Sequence, residues 1–217
     1  MEQKALTPDA VLVELKEGND RFAAGKLTEP NVKSSIAAAA KGQFLKAVIL
    51  SCLDSRIPVE VVFDQEIGDL FVGRVAGNVE NDDLLGSFEL ATKLAGAKLV
   101  VVLGHDECGA VKGACDPIEM GKLTGLLKKI TPAVEAVEGF AKEQRPLKHE
   151  PFVDAVVTQN VVTTVADLCK AAPSSPNWKS PERSTSSAAF IRWQAAAWSG
   201  LIDPLPNGSA SSGRFAE

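Results

Sequence analysis

Apolar side chains recur by threes and fours over residues 7–25, at Val11, Leu12, Leu15 and Phe22, which is the period of an amphipathic helix. Thr7-Pro8-Asp9 stands just before them, a capping residue with proline in the first turn, and predicts the helix start. A Lys- and Ala-containing stretch follows without a clear period. Residues 46–51 then form a short apolar run, Lys-Ala-Val-Ile-Leu-Ser, which fits a strand buried on both faces. Residues 69–75 predict a second strand and residues 98–104 a third, with helical spacing of Phe88, Leu90, Ala91 and Leu94 between them. Residues 118–145 carry Leu123, Leu126, Leu127, Ile130, Val134 and Val137 at helical spacing, broken at Thr131-Pro132. The valine-rich run over residues 152–168 keeps a three-and-four spacing longer than a normal strand, so it predicts a helix. Apolar strands alternating with helices predict an α/β fold with a mostly parallel central β-sheet flanked by helices.

Beyond residue 170 the character changes. Ser, Pro, Ala and Gly dominate and neither period persists, so the chain divides into a domain over residues 1–170 and an atypical tail over residues 171–217.

The length of 217 residues suits one domain with a tail, and 45% apolar against 24% charged residues is the balance of a soluble globular chain. No apolar run approaches the roughly 20 residues of a membrane span, so no membrane partner is expected. Acidic residues outnumber basic ones 28 to 23, for a net charge of −5, which argues against nucleic acid as a partner. The first ten residues lack the order of a secretory signal, and four irregularly spaced Cys make no disulfide framework, so a reducing, cytoplasmic location is expected. The chain has nine Phe and no Tyr, and its three Trp (Trp178, Trp193, Trp198) all lie in the tail.

Two polar clusters follow the two most apolar strands: Cys52-Leu-Asp54-Ser-Arg56 and His105-Asp-Glu-Cys108-Gly109. The carboxyl ends of neighbouring parallel strands open onto one crevice, so both clusters face one site. If the chain enters a helix at Gly104, His105 and Cys108 share a face within its first turn, and Cys52 approaches from the adjacent strand. Two thiolates and an imidazole form a zinc set that leaves a fourth position for water or substrate. Such a centre carries no net charge and acidifies water less than a three-His site does, so a nearby carboxylate matters. Asp54 and Arg56 alternate on an extended segment and point to one side. Asp54 either takes the fourth position or is held by Arg56 as an acceptor beside it. Cys115 and Cys169 have no such company and read as structural, and His149 beside Glu150 as solvated. A thiol redox role is disfavoured because neither Cys52 nor Cys108 belongs to a C-x-x-C pair.

Taken together, Cys52-x-Asp54-x-Arg56, the stretch from Phe63 through Leu70-Phe71-Val72-x-Arg74-Val75-Ala76-Gly77-Asn78, Gly86-Ser87, and Leu103-Gly104-His105-x-x-Cys108-Gly109-Ala110-Val111-Lys112 resemble the β-class carbonic anhydrases. The resemblance implies a zinc ion in each subunit on Cys52, His105 and Cys108, with an Asp54–Arg56 dyad beside it. It implies reversible hydration of carbon dioxide to bicarbonate and a proton by zinc-bound hydroxide, in a homodimer or a tetramer of dimers. It further implies that Asp54 occupies the fourth position at low pH and water does so at high pH. Gln65, in the loop before the second strand, is the expected substrate contact, although alignment on Phe71-Val72 places Glu66 there. Gly109, at the start of a helix, offers a backbone N–H to an anion. The alternatives are a carbon disulfide or carbonyl sulfide hydrolase on the same scaffold, and a non-catalytic zinc or bicarbonate sensor.

Members of that family end in a Ser-Pro-Ile-Leu-like helix and a last strand carrying Tyr, and residues 171–217 show neither. With permitted codons, residues 183–192 read from the third base of each codon give Val-Asn-Ile-Val-Gly-Gly-Ile-Tyr-Thr, and residues 171–182 give Ser-Pro-Ile-Leu-Ala-Glu-Leu-Glu-Lys-Ala-Gly. This predicts a shift of reading frame near Lys170, with an irregular tail replacing the terminal helix and strand. Such a shift removes an edge strand but no zinc ligand, and it accounts for the missing Tyr.

Overall fold

The computed structural model describes residues 6–116, 118–145, 149–171, 186–192 and 197–202. Helix α1 (Pro8–Ala23) starts where the sequence predicts, with the Thr7 hydroxyl accepting from the Ala10 N–H at 3.2 Å and Pro8 in the first turn. Val11 and Leu15 are fully buried on its inner face. The Lys- and Ala-containing stretch contains a helix, α2 (Val32–Ala39), capped by Asn31. β1 (Ala47–Ser51), β2 (Leu70–Arg74) and β3 (Leu99–His105) match the three predicted strands, with α3 (Val59–Val62) after the first. α4 (Asp82–Glu89) is capped by Asn81 and runs into a π-helical turn, Leu90–Leu94. After β3 come α5 (Gly109–Cys115), α6 (Gly121–Leu127), α7 (Thr131–Ala136) and α8 (Glu150–Ala171).

The sheet order is β2-β1-β3-β4-β5, with β4 (Ser186–Arg192) parallel to β3 and β5 (Ala197–Ile202) antiparallel to β4. Every residue of β1 and β3 is buried. Alternate side chains serve two core layers. Ala47, Ile49, Leu99, Val101 and Leu103 pack in one, and Val48, Leu50, Val100 and Val102 in the other. This is why the strands read as unbroken apolar runs: a parallel sheet covered by helices buries both faces. α8 is, among the described residues, the one helix long and apolar enough to cross a membrane, and half of its apolar window is buried. Its first half packs through Phe152 and Val156 into one layer and its second half through Val161 and Leu168 into the other.

The tail departs from expectation. Loss of an edge strand was predicted there, yet β4 pairs with β3 from Val100↔Ser186 to His105↔Ile191, and β5 extends the sheet. A buried strand with a free edge presents unpaired N–H and C=O groups, and backbone pairing satisfies them whatever the side-chain pattern. Register with β5 shifts between Ala189 and Ile191. Residues 172–185, 193–196 and 203–217 lie outside the described residues, and with them Trp178, Trp193 and the predicted frame junction's downstream side.

Candidate metal centre

β1 and β3 are adjacent and parallel, so Ser51 and Leu103 lie side by side and the chain segments that follow them leave the sheet at one edge. Cys52 comes directly after β1, His105 ends β3, and Cys108 is the residue before α5. His105 and Cys108 do not share a helix face, as the spacing suggested. A turn brings them together, with Glu107 in the left-handed region at φ 56°. The ligand atoms of Cys52, His105 and Cys108 all lie within 4.8 Å of one another, and all three residues are buried. The two sulfurs are 3.9 Å apart, close to the edge of about 3.8 Å expected for two thiolates on a tetrahedral zinc with bonds of about 2.3 Å. His105 Nδ1 is 2.7 Å from the Asp106 carbonyl oxygen. A carbonyl only accepts, so Nδ1 carries the proton and Nε2 keeps a lone pair. Nε2 is buried with no hydrogen-bond partner, a costly state for a polar atom that a metal relieves. The donor set and its geometry therefore fit zinc.

Electrostatics prepare the sulfurs. The Cys108 thiol and the Gly77 N–H, 3.3 Å away, hydrogen-bond the Cys52 sulfur and hold its thiol below the usual thiol range despite burial. The Cys108 thiol is pushed up by its bond to Cys52 and by burial. A bound dication would favour both sulfurs as thiolates.

Asp54 and Arg56 form the predicted dyad. The Arg56 Nε donates to Oδ1 at 2.9 Å and Nη2 to Oδ2 at 2.8 Å, with the Arg56 backbone N–H on Oδ1 at 2.9 Å. This fork holds the Asp54 carboxyl down to about 2. The gathered ligand atoms are those of the two Cys and the His, and the Asp54 carboxylate is paired with Arg56. Arg56 Nη2 also reaches the Glu107 carbonyl at 3.3 Å, tying the two clusters together.

Residues 47–189 match the carbonic anhydrase family model. The chain belongs to the carbonic anhydrase family. It is 44% identical over 133 residues to carbonic anhydrase 2 of Mycobacterium tuberculosis, which covers 58% of this chain and 64% of that relative. The chain thus spans just under two thirds of the relative's length. The β-carbonic anhydrase CafA of Aspergillus fumigatus superposes with a TM-score of 0.66 at 20% identity, covering 91% of both chains. Structures of two tetrameric β-carbonic anhydrases from Sordaria macrospora give a TM-score of 0.62 at 20% identity, covering 77% of this chain and 85% of theirs.

The other residues singled out in the sequence lie at various distances from this cluster. Gln65 is not brought to the cluster by its own chain. It accepts from Lys46 Nζ at 3.0 Å, and Lys46 precedes the amino end of β1, the edge opposite Cys52. The loop carrying Gln65 enters β2 from below, so one strand length separates it from the metal ligands. Gly109 is the first residue of α5, beside Cys108, and a Cβ there would meet no neighbouring atom. His149 is not simply solvated: its ring meets Phe140 edge-on at 5.7 Å, and Nδ1 accepts from the Phe152 N–H at 3.3 Å, capping α8. Burial pushes the Cys115 thiol up to about 11, in keeping with a structural residue.

Three participants escaped sequence reasoning. Arg74, at the end of β2, donates from Nε to the Cys52 carbonyl at 2.9 Å and from Nη2 to the Asp54 carbonyl, bracing the ligand loop. An arginine closing an otherwise apolar strand was the available signal. Gly77 supplies the N–H on Cys52. Asn160 contacts Gly77 from α8.

Proposed function

We propose that this chain catalyses reversible hydration of carbon dioxide to bicarbonate and a proton, with a zinc ion in each subunit on Cys52, His105 and Cys108. The observation that carries this reading is the gathering of three donor atoms within 4.8 Å at the carboxyl edge of the sheet, apart from Asp54. Zinc bound there supplies a Lewis acid that brings a coordinated water's pKa toward neutrality. The chain's residues do the rest. Asp54, ionised above about pH 2, is an acceptor only and orients a hydroxyl next to it. Arg56 occupies both carboxylate oxygens and keeps them from the fourth position. The Asp106 carbonyl holds the His105 ring in one tautomer. Gly109 leaves its side of the helix open to an anionic product. We place the enzyme in the cytoplasm, in keeping with four cysteines that form no disulfide, and as a homodimer or tetramer of dimers, as the Sordaria relatives are described as tetrameric.

The purified protein is expected to hold stoichiometric zinc, to scatter light as a multiple of one chain, and to accelerate carbon dioxide hydration between about pH 7 and 9 in stopped flow. Sulfide release from carbon disulfide or carbonyl sulfide without hydration overturns the substrate, and zinc without any turnover favours a sensor.

The reading frame is a separate proposal: it shifts near Lys170, and residues 171–217 stand in for the family's terminal helix and strand. Resequencing codons 165–175 tests it. Codons that permit the family-like third-base reading are expected, and an intact frame whose codons forbid that reading sinks the idea.

A further inference from the structure

The buried side of α8 carries two polar residues, Asn160 and Thr164, and Asn160 stands at the point where the helix passes from one core layer to the other. Asn160 lies there, 2% exposed, between Val157 of the first layer and Val161 of the second. An apolar residue is the default for such a position, and a buried amide is tolerated only when hydrogen-bonded. Asn160 Nδ2 donates to the Gly77 carbonyl at 2.8 Å. Gly77 is held in the left-handed region at φ 72°, and a Cβ on it would lie 2.6 Å from Ile130 Cδ1 and 3.2 Å from the Ala110 Cβ. The same residue points its N–H at Cys52 Sγ, 3.3 Å away. A single glycine is therefore gripped by its carbonyl from α8 and presents its amide to a metal-ligating sulfur.

We propose that Asn160 is a positioning residue for the metal centre: through the Gly77 carbonyl it fixes the N–H···S bond to Cys52, and so limits how much electron density that sulfur gives to the metal. Groups that orient ligands in this way tune affinity as well as geometry. The inference rests on the zinc reading of Cys52, His105 and Cys108, and goes beyond it by giving α8 a part in the centre.

Two near-isosteric variants test it: Asn160→Leu removes the donor, and Asn160→Asp turns an acceptor toward the Gly77 carbonyl. Zinc affinity is measured by competition with a chromophoric chelator on the fraction that elutes as native protein. The cobalt(II) form is measured by its thiolate-to-metal absorption band. Both variants are expected to bind zinc about 10- to 100-fold more weakly. Their cobalt band moves to longer wavelength, because a sulfur that has lost an N–H donor gives up its electrons more readily. If neither folds, Asn160→Ser, which shortens the donor without adding apolar bulk, provides the same two readouts. A purely structural asparagine changes only the melting temperature of the metal-free protein. Affinity within about two-fold of wild type and an unmoved cobalt band in a folded variant therefore overturn the proposal. Failure of the wild-type chain to bind zinc at all overturns instead the site reading, and this inference with it.

Discussion

Cys108→Ser is expected to strip the centre of zinc and to bring carbon dioxide hydration down to the uncatalysed rate. Cys108 is 1% exposed, and its sulfur stands 3.9 Å from that of Cys52, so no other described cysteine can take its place. A structural zinc site with four ligands binds with about 10–16 kcal/mol, so one thiolate is worth roughly 2.5–4 kcal/mol, or on the order of a hundred-fold or more in affinity. Serine keeps the volume but supplies a hydroxyl that does not ionise near neutral pH. Removing Cys108 also removes the main partner that holds the Cys52 thiol down. Both sulfur ligands are weakened by one substitution. The control is Cys115→Ser, whose thiol burial pushes up to about 11; it should keep metal content and rate. Atomic absorption on dialysed protein together with stopped-flow hydration decides the matter. Full zinc and full activity in Cys108→Ser would sink the zinc-enzyme reading.

The three ligands were legible in the sequence because their residue types are rare and each stands at the end of an apolar run: Cys52 after β1, His105 at the end of β3, Cys108 just beyond. Parallel neighbours place such ends at one edge, so strand order alone was enough to bring them together. The manner of their meeting was not legible. Spacing by three suggested a helix face, whereas a non-glycine residue with positive φ, Glu107, makes the turn. Glu has no local signature for that conformation. The place of Gln65 within the chain was not legible for another reason. Sequence proximity to β2 says nothing about which end of the strand a loop serves, and this loop serves the amino end, where Lys46 engages it. Asn160 left a trace that was readable in hindsight, a polar residue at core-facing spacing within a valine-rich helix. The strands of the tail left none, since β4 and β5 are held by backbone pairing to a neighbour rather than by their own pattern.

Arg56→Ala is expected to separate metal binding from turnover: zinc stays, and hydration at neutral pH falls by about 10- to 100-fold. In the native protein the guanidinium provides two of the three hydrogen bonds on the Asp54 carboxylate, at 2.9 and 2.8 Å, and the backbone N–H of residue 56 alone remains in the variant. A carboxylate released from this fork is a hard anionic ligand beside a metal with a vacant fourth position, and closing that position stops turnover without loosening the ion. Arg56→Lys should recover only part of the rate, because an ammonium offers a point charge where the carboxylate meets a planar fork. The pH dependence carries a second signature. The Arg56 hydrogen bonds hold the Asp54 carboxyl down to about 2, against an ordinary value of about 3.9 in an unfolded chain. A depressed carboxyl contributes stability that is fully present above the unfolded value and is lost as pH falls through the folded one. The stability advantage of wild type over Arg56→Ala is therefore constant above about pH 5 and shrinks between about pH 4 and 2. Since Asp54 is already ionised throughout the neutral range, any change in hydration rate between about pH 7 and 9 belongs to another group and persists in Asp54→Asn at a lower level. Zinc lost together with activity in Arg56→Ala, or activity unchanged, would show that Arg56 does not hold Asp54 away from the metal.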